Sequence, residues 1–279
     1  MKPKSVLITG CSSGIGRCLA VGLAARGFQV FATVRQAQDI PALTALGLTS
    51  LQLDLTDSAS INDAVRAVLA HTGGTLDALI NNGAYGQPGA VEDLSREVLR
   101  KQFETNVFGT HELTNLVIPV MRKQGHGRIV QISSILGRAC LAYRGAYNAS
   151  KYALEALTDT LRLELHGTGI ALSLIEPGPI TSRFRANAGA HFLANIDRVN
   201  SAHARYYEAV SRRLSGTKPL PFTLPPEAVL TATLKALTAR RPKPRYFVTF
   251  PVYLFTTLKW LLSDRAMDRF LRSVTDGSR

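Results

Sequence analysis

Three side chains could move a proton between them if the fold brought them together. Tyr147 and Lys151 stand four positions apart, and Ser134 lies thirteen before the tyrosine. Positions i and i+4 share one face of a helix, so the phenol and the ammonium would sit side by side. A cation beside a phenol favours the phenolate. From an ordinary pKa of about 10, each unit of lowering corresponds to roughly 1.4 kcal/mol. A tyrosine tuned in this way can protonate a carbonyl oxygen and take the proton back. The chain has eight tyrosines, and only Tyr147 has a lysine four residues later. Taken alone, the pair also fits the surface of any amphipathic helix, because short motifs recur by chance.

A second motif lies near the N-terminus. Ser5-Val6-Leu7-Ile8-Thr9 is a short apolar, β-branched run that predicts a buried strand. Thr9-Gly10-Cys11-Ser12-Ser13-Gly14-Ile15-Gly16 follows, and residues 17–26 then show helical periodicity. Strand, glycine-rich turn and helix form the setting in which backbone N–H groups and a helix N-terminus receive a pyrophosphate. Gly10 would allow the tight turn, Gly14 close approach of the phosphate and Gly16 close packing of helix on strand.

The elements that must position these groups alternate as a parallel sheet requires. Apolar runs at 29–34, 49–53, 76–81, 128–133 and 170–175 predict five further strands, with another at 246–249. Helical patterns fill 58–70, 96–123 (Pro119 inside its late turns), 146–166 and 226–239. Right-handed crossovers then give a doubly wound sheet with helices on both faces. The strand ends at Thr9, Asn81 and Ser133 converge on one edge, where such sheets bind ligands.

Together these residues resemble the short-chain dehydrogenase/reductase family. The resemblance runs through the glycine loop, Leu53-Asp54-Leu55, Asn81-Asn82-Gly83-Ala84, Asn106, Ser134, Tyr147, Lys151 and Pro177-Gly178, over about residues 4 to 182. One departure is that Gly83-Ala84 stands where the family usually has Ala-Gly, which puts the local backbone path in doubt. Several stretches look closest to the retinol- and hydroxysteroid-dehydrogenase-like branch and its bacterial aldehyde-reductase members. They include Phe31-Ala-Thr-Val-Arg35, Phe103-Glu-Thr-Asn-Val-Phe-Gly109 and Pro244-Arg-Tyr-Phe-Val-Thr-Phe250.

The resemblance implies an α/β, single-domain Rossmann-type fold and reversible hydride transfer between a nicotinamide and a carbonyl carbon. Tyr147 would be the acid in reduction and the base in oxidation. Lys151 would lower its pKa and hold the nicotinamide ribose, Ser134 would bond the substrate oxygen, and Asn106 would anchor a water leading from the lysine to solvent. An asparagine bonded locally inside a helix is the alternative for Asn106. Ser133, one residue from Ser134, would point to the opposite side of the strand. Cofactor contacts are implied at Gly10, Ser12, Ser13, Gly14, Ile15, Gly16, Asp54, Leu55, Asn82, Tyr147, Lys151, Pro177, Gly178, Ile180 and Thr181. Asp54 would accept from the adenine amine, and the Ile180 and Thr181 backbone would meet the carboxamide.

Cofactor choice has its own signal. An acid ending the second strand binds the 2′-hydroxyl of NAD, and an arginine nearby favours NADP. This strand ends Ala32-Thr33-Val34-Arg35, with no carboxylate until Asp39. Arg35, with Ser12 and less directly Arg17, therefore points to NADP(H).

Composition sets the limits. With 279 residues and 46% hydrophobic content, the chain suits one domain with a buried core. No secretory pattern opens it, and three cysteines without a Cys-x2-Cys pair suggest reduced thiols in the cytosol and no metal site. Cys11 reads as a small space-filler, with blockage by an alkylating agent the other reading. Residues 1–179 carry a net charge of +2 and residues 180–279 one of +11. No nucleic-acid module accompanies that basic part, so nucleic acid is not an expected partner.

Residues 183–222, with Phe184, Phe192, Leu193, Tyr206 and Tyr207, fall where the family has a mobile substrate lid. Their aromatic content suggests a hydrophobic aldehyde or ketone, unless they are simply core of added helices. Residues 250–271 predict one amphipathic helix, carrying Trp260 and several basic residues, too short in its apolar part to span a bilayer. It would pack on its own sheet or a second subunit, or else touch an anionic membrane surface. The resemblance implies a homodimer or tetramer through 96–123 and 146–166. A non-catalytic NADP-sensing protein is the main rival; Tyr147 and Lys151 argue against it. An extended-form epimerase or dehydratase is disfavoured by the Gly-x3-Gly-x-Gly spacing and modest length.

Overall fold

Alternation along each buried strand feeds two cores at once. In the computed structural model, which describes residues 4–216 and 219–276, Val6 and Ile8 of β1 (Ser5–Ile8) face one helical layer while Leu7 faces the other. The pattern repeats in β2 (Gln29–Val34), where Val30, Ala32 and Val34 join the first core and Phe31 the second. With β3 (Thr49–Gln52), β4 (Ala78–Asn81), β5 (Gly127–Ile132), β6 (Ile170–Glu176) and β7 (Arg245–Phe247), they form a parallel sheet in the order β3-β2-β1-β4-β5-β6-β7. This is the expected doubly wound Rossmann-type sheet with helices on both faces.

Helices α1 (Gly14–Ala24), α2 (Ile40–Thr44) and α3 (Ser58–Thr72) connect the first strands. Leu19 and Leu23 of α1 meet Val229 and Leu230 of the late helix Glu227–Thr238 on one face. Ile61, Val65 and Val68 of α3 meet Leu113 and Val117 on the other. β4 starts at Ala78 and not at Leu76, because the Gln124 side chain takes both backbone groups of Leu76, at 2.7 and 3.1 Å. β7 ends at Phe247, since Thr249 already begins the next helix.

The long helix expected at 96–123 is not continuous. It divides into α4 (Arg96–Phe103), a π-helical turn over Glu104–Gly109 and α5 (Thr110–Gln124). Pro119 lies inside α5 without ending it. Next come α6 (Gly145–Glu164), α7 (Phe184–Asn195), α8 (Ala204–Ser215) and α9 (Glu227–Thr238).

The C-terminal helix expected at 250–271 is two helices, α10 (Phe250–Leu261) and α11 (Asp264–Asp276). Leu262 is extended, and the Ser263 carbonyl accepts from the Ala266 and Met267 N–H groups, so a new helix starts there. Folding back lets Phe255, Met267 and Phe270 pack on Ile135, Ala139 and Leu141 after β5. Phe250, Tyr253, Trp260 and Leu261 stay exposed. Among the described residues no helix is long and apolar enough to cross a membrane.

Candidate active site

The loops at the carboxyl ends of β1, β4 and β5 meet at one edge of the sheet. Gly10 and Gly14 take left-handed φ values of +71° and +55°, which favour glycine. A Cβ on Gly10 would lie 2.8 Å from Gly83 Cα, and one on Gly16 only 2.1 Å from the Gly10 oxygen. Asn82 ties this loop to β4: its Nδ2 donates to the Thr9 and Gly10 carbonyls at 2.9 and 3.1 Å. Thr9 Oγ1 accepts from the Asn82 and Gly83 N–H groups at 2.9 and 2.8 Å. The Gly83-Ala84 exchange costs little, since Gly83 is the position squeezed between Leu55 and Thr9.

Ser13 precedes α1 in an extended conformation without a side-chain cap, and the first turn of α1 holds no acid. Such a helix start offers its N–H groups to an anion. The loop thus fits a dinucleotide pyrophosphate. Ser12 is exposed beside it, and Ile15 packs into the first core. Asp54 Oδ1 accepts from the Thr56 N–H and hydroxyl at 2.9 and 2.8 Å, which fixes the carboxylate at the end of β3. Arg35 is exposed at the end of β2, and its charge reaches across the crevice. Burial raises the Tyr85 pKa and Arg35 opposes it; burial and Arg35 both lower His191.

Farther along, Pro177 accepts the Ile135 N–H at 2.9 Å, and a Cβ on Gly178 would sit 2.2 Å from Thr249 Oγ1. The Thr181 N–H is already given to the Leu224 carbonyl at 3.0 Å. The expected carboxamide contact through the Thr181 N–H would have to displace that bond.

The catalytic candidates gather as their spacing predicts. Ser134 is buried, extended, and caps the short turn Ile135–Gly137 by accepting from the Leu136 N–H at 3.1 Å. Its hydroxyl acts on the Tyr147 phenol, opposing the rise that burial imposes. Ser133 turns the other way, towards Glu155, as strand alternation requires. Lys151, on the same face of α6 as Tyr147, is buried with its Nζ 5.7 Å from the phenol ring centroid.

Two electrostatic expectations change. Burial pushes the Tyr147 phenol up to about 12, against the lowering effects of Ser134 and the Arg144 charge. Lys151 is held instead by the Ile132 carbonyl, to which Nζ donates at 2.8 Å, and burial lowers its pKa to about 8. The cation acting on the phenol in this state is therefore Arg144, which the sequence reading passed over. Its signal was available: Arg144 lies one turn before Tyr147.

Asn106 sits in the π turn, buried. Its Oδ1 accepts from the Tyr85 N–H at 3.1 Å, and its Nδ2 donates to the Tyr85 carbonyl at 2.9 Å and to Ser150 Oγ at 3.1 Å. Ser150 in turn donates to the Tyr147 carbonyl at 2.8 Å. Asn106 is thus not a locally bonded helix residue; it joins the β4 loop to the catalytic helix. Single π turns of this kind often mark functional sites.

Behind Lys151 lies a buried ionic network. Arg245 reaches Glu155 at 2.9 Å, Asp159 at 2.7 Å and Glu176 at 3.0 Å, and Arg138 stands 3.7 Å from Glu176. Burial, then the nearby Glu155 charge, raises Glu176 to about 8.

Beside the phenol, the Phe184 ring lies 5.2 Å from that of Tyr147, and Tyr85 meets His191 with ring centroids 4.3 Å apart. The other aromatics of 183–222 divide. Phe192 and Tyr207 are buried core of the α7–α8 pair, with Ile196 and Ala90. Tyr206 stacks under Arg205, and Leu193 is exposed. Tyr143 precedes α6 with a left-handed φ of +62° and joins that same core. Cys11 is fully buried, its Sγ donating to the Ile8 carbonyl and its pKa raised to about 12 by burial, as a space-filler would be.

A parallel sheet with a glycine loop at one strand end and a Ser–Tyr–Lys set at another defines a nicotinamide-type oxidoreductase. The chain belongs to the short-chain dehydrogenase/reductase family: the sequence model for short chain dehydrogenases matches residues 4–192. It is 40% identical to YbbO of Escherichia coli K12, an uncharacterised oxidoreductase, over 96% of this chain and 94% of that one. It is 33% identical to human retinol dehydrogenase 8, over 92% and 85% of the two chains, which places it in the retinol-dehydrogenase-like branch. A short-chain dehydrogenase of Streptomyces avermitilis superposes with a TM-score of 0.79 at 30% identity, covering 99% of each chain.

Proposed function

We propose that this chain reversibly reduces the carbonyl of a hydrophobic aldehyde or ketone with NADP(H). The observation that carries the proposal is a buried Lys151 on the same helix face as Tyr147, its Nζ 5.7 Å from the phenol ring centroid, with Ser134 acting on that phenol beside the glycine loop. Bound NADPH supplies the hydride. Its pyrophosphate would lie on Gly10, Ser12, Ser13, Gly14, Ile15 and Gly16, its adenine by Asp54 and Leu55, and its 2′-phosphate on Arg35. Asn82 fixes the loop, Lys151 holds the ribose with Tyr147, and Pro177, Gly178, Ile180 and Thr181 flank the carboxamide.

Tyr147 gives its hydroxyl proton to the carbonyl oxygen, and Ser134 stabilises the charge developing there. A phenol pushed up by burial is fully protonated at neutral pH, which suits it to act as the acid. Lys151 and Asn106, linked through α6 and Ser150, would return the proton from solvent. Phe184 and the α7–α8 pair would close over an apolar substrate as a lid and keep water out.

Exposed Leu99 on α4, Phe108 in the π turn and Leu157 on α6 support a homo-oligomer through this face. Exposed Trp260 and its neighbours support weak peripheral membrane contact by a cytoplasmic protein. The test is a panel of aldehydes, ketones and alcohols with NADPH, NADP, NADH or NAD, followed at the nicotinamide absorbance band. Tyr147→Phe should cost at least about 10²-fold in turnover while NADPH still binds; retained turnover would refute the assignment. Arg35→Ala should raise the KM for NADPH and not that for NADH.

A further inference from the structure

The catalytic helix lines a second cavity on another of its sides. Along α6, Gly145, Asn148, Ala149 and Tyr152 recur at intervals of three and four, so they share one face. Tyr147 and Lys151 project from a different one. With Val91, Leu141 and Ala142, the first face bounds an open cleft of about 360 Å³, and Ser134, Tyr147 and Lys151 lie outside its lining. That volume suits a small ligand. Gly145 shapes the wall: a Cβ there would stand 2.4 Å from Val91 Cγ2, so glycine lets the exposed Val91 close against the helix.

Asn148 supplies the polar point in this mostly apolar cleft. It is only 5% exposed, and its Nδ2 donates to the Leu141 carbonyl at 3.1 Å. A carbonyl can only accept, so that bond fixes which way the amide faces. Oδ1 is left without a hydrogen-bond partner among the described residues. A buried acceptor in that state is costly until a donor reaches it. Tyr152 is not that donor: its hydroxyl donates to the Arg138 carbonyl at 2.6 Å and accepts from Lys259 Nζ at 2.8 Å. Cys140, exposed and with a free thiol, stands in the same lining.

We propose that this cleft is a binding site, separate from the active centre, for a small apolar hydroxyl compound. Its O–H donates to Asn148 Oδ1, and its body lies on Val91, Leu141, Ala142 and Ala149. An alcohol or phenol fits because it brings the missing donor and little other polar surface to desolvate. The occupant also meets Tyr143, whose carbonyl accepts the Gly89 N–H at 3.0 Å and whose ring lies 6.1 Å from that of Tyr207 on α8. The site therefore borders the α7–α8 pair while using none of the catalytic side chains.

The test follows alkylation of Cys140 by iodoacetamide, read on its own peptide by mass spectrometry, with the half-buried Cys18 as internal control. 4-Propylphenol is compared with 4-propylanisole, which has the same body and no donor. The phenol should slow Cys140 and leave Cys18 unchanged, with a dissociation constant about tenfold below that of the anisole. Asn148→Leu should erase that difference. Ala149→Trp, at an exposed position, should abolish protection by both, and covers the case in which the Asn148 variant does not fold. Tyr147→Phe should bind the phenol as the parent does. Absence of protection would overturn the proposal, as would equal protection by phenol and anisole, since water would then serve Asn148 as well. Protection lost in Tyr147→Phe would place the phenol in the active centre and sink the separate site. A Cys140 that is slow to react without ligand and is freed by dilution would show a second copy of this chain in the cleft, and equally sink it.

Discussion

On one flank of the catalytic helix Arg245 holds Glu155, Asp159 and Glu176, with Arg138 completing the set. On the other flank Arg144 is met by Arg185 and Arg213, cation against cation. Both flanks lie within a few residues of the proposed proton donors, and both are partly shielded from water. The first has its counter-charges built in and spans β6, α6 and β7, so it braces the sheet edge to which Lys151 is fixed. The second bears on the phenol itself, where the Arg144 charge opposes the effect of burial on Tyr147. The difference separates charge that holds the fold from charge that acts on the proposed acid.

The sharpest way to break this comparison is Arg245→Met. Removing one side of a buried pair leaves the other uncompensated, at a cost of about 3 kcal/mol or more. Chemical denaturation should find that loss, larger at pH 9 than at pH 6, because the three carboxylates then face one another ionised. A loss below about 1 kcal/mol at both pH values would mean that the network braces nothing.

Reduction of an aldehyde comes next. Lys151 is lowered to about 8 and Tyr147 raised to about 12, so only the lysine loses its charge within the working range. The reduction rate should fall as pH rises through about 8, and alcohol oxidation should gain over the same interval. A rate flat to pH 10 would remove Lys151 from the proton path.

A smaller effect concerns Glu176, whose folded pKa of about 8 stands above the ordinary glutamate value of 4.5. A raised carboxylate binds its proton more tightly in the folded state. Its stabilising contribution is therefore complete below 4.5 and lost as pH rises through about 8. Glu176→Gln should lack that decline, so its midpoint should gain on the parent protein between pH 5 and pH 9. Parallel curves would contradict the assignment.

The smallest shift is expected on the opposite flank. The charged form of Arg144 is disfavoured by burial and by its two neighbours, so Arg144→Met should leave stability within about 1 kcal/mol of the parent. A large destabilisation would make that arginine structural and erase the contrast with Arg245.

Much of this arrangement could be read from the chain. The alternation of Val6, Leu7 and Ile8 gave the two-faced sheet, and helical spacing put Tyr147 and Lys151 on one face. Left-handed glycines at 10 and 14 follow from the loop motif. What stayed hidden depends on contacts between distant segments. Nothing near Asn106 announces a π turn, because the bonds that fix it go to the Tyr85 backbone and to Ser150. Lys151 turns to the Ile132 carbonyl, a backbone group that no side-chain pattern can signal. Glu155 was visible one turn after Lys151, but its partner Arg245 arrives only with the last strand. The break in the tail is hidden because the apolar spacing continues through Leu262, while the backbone turns extended there and restarts at Ser263.

The α7–α8 pair is clasped to the segment after β4: Asn195 donates to Gln87 at 2.7 Å, and the Ala90 N–H to the Tyr207 hydroxyl at 3.0 Å. That segment begins at Tyr85, the residue Asn106 grips through both backbone groups. The proposed cover and the proposed proton route therefore share one short stretch of chain. Departure of product and resetting of the acid would then proceed on a common clock, slowed or quickened together by a change at Gln87 or Tyr207.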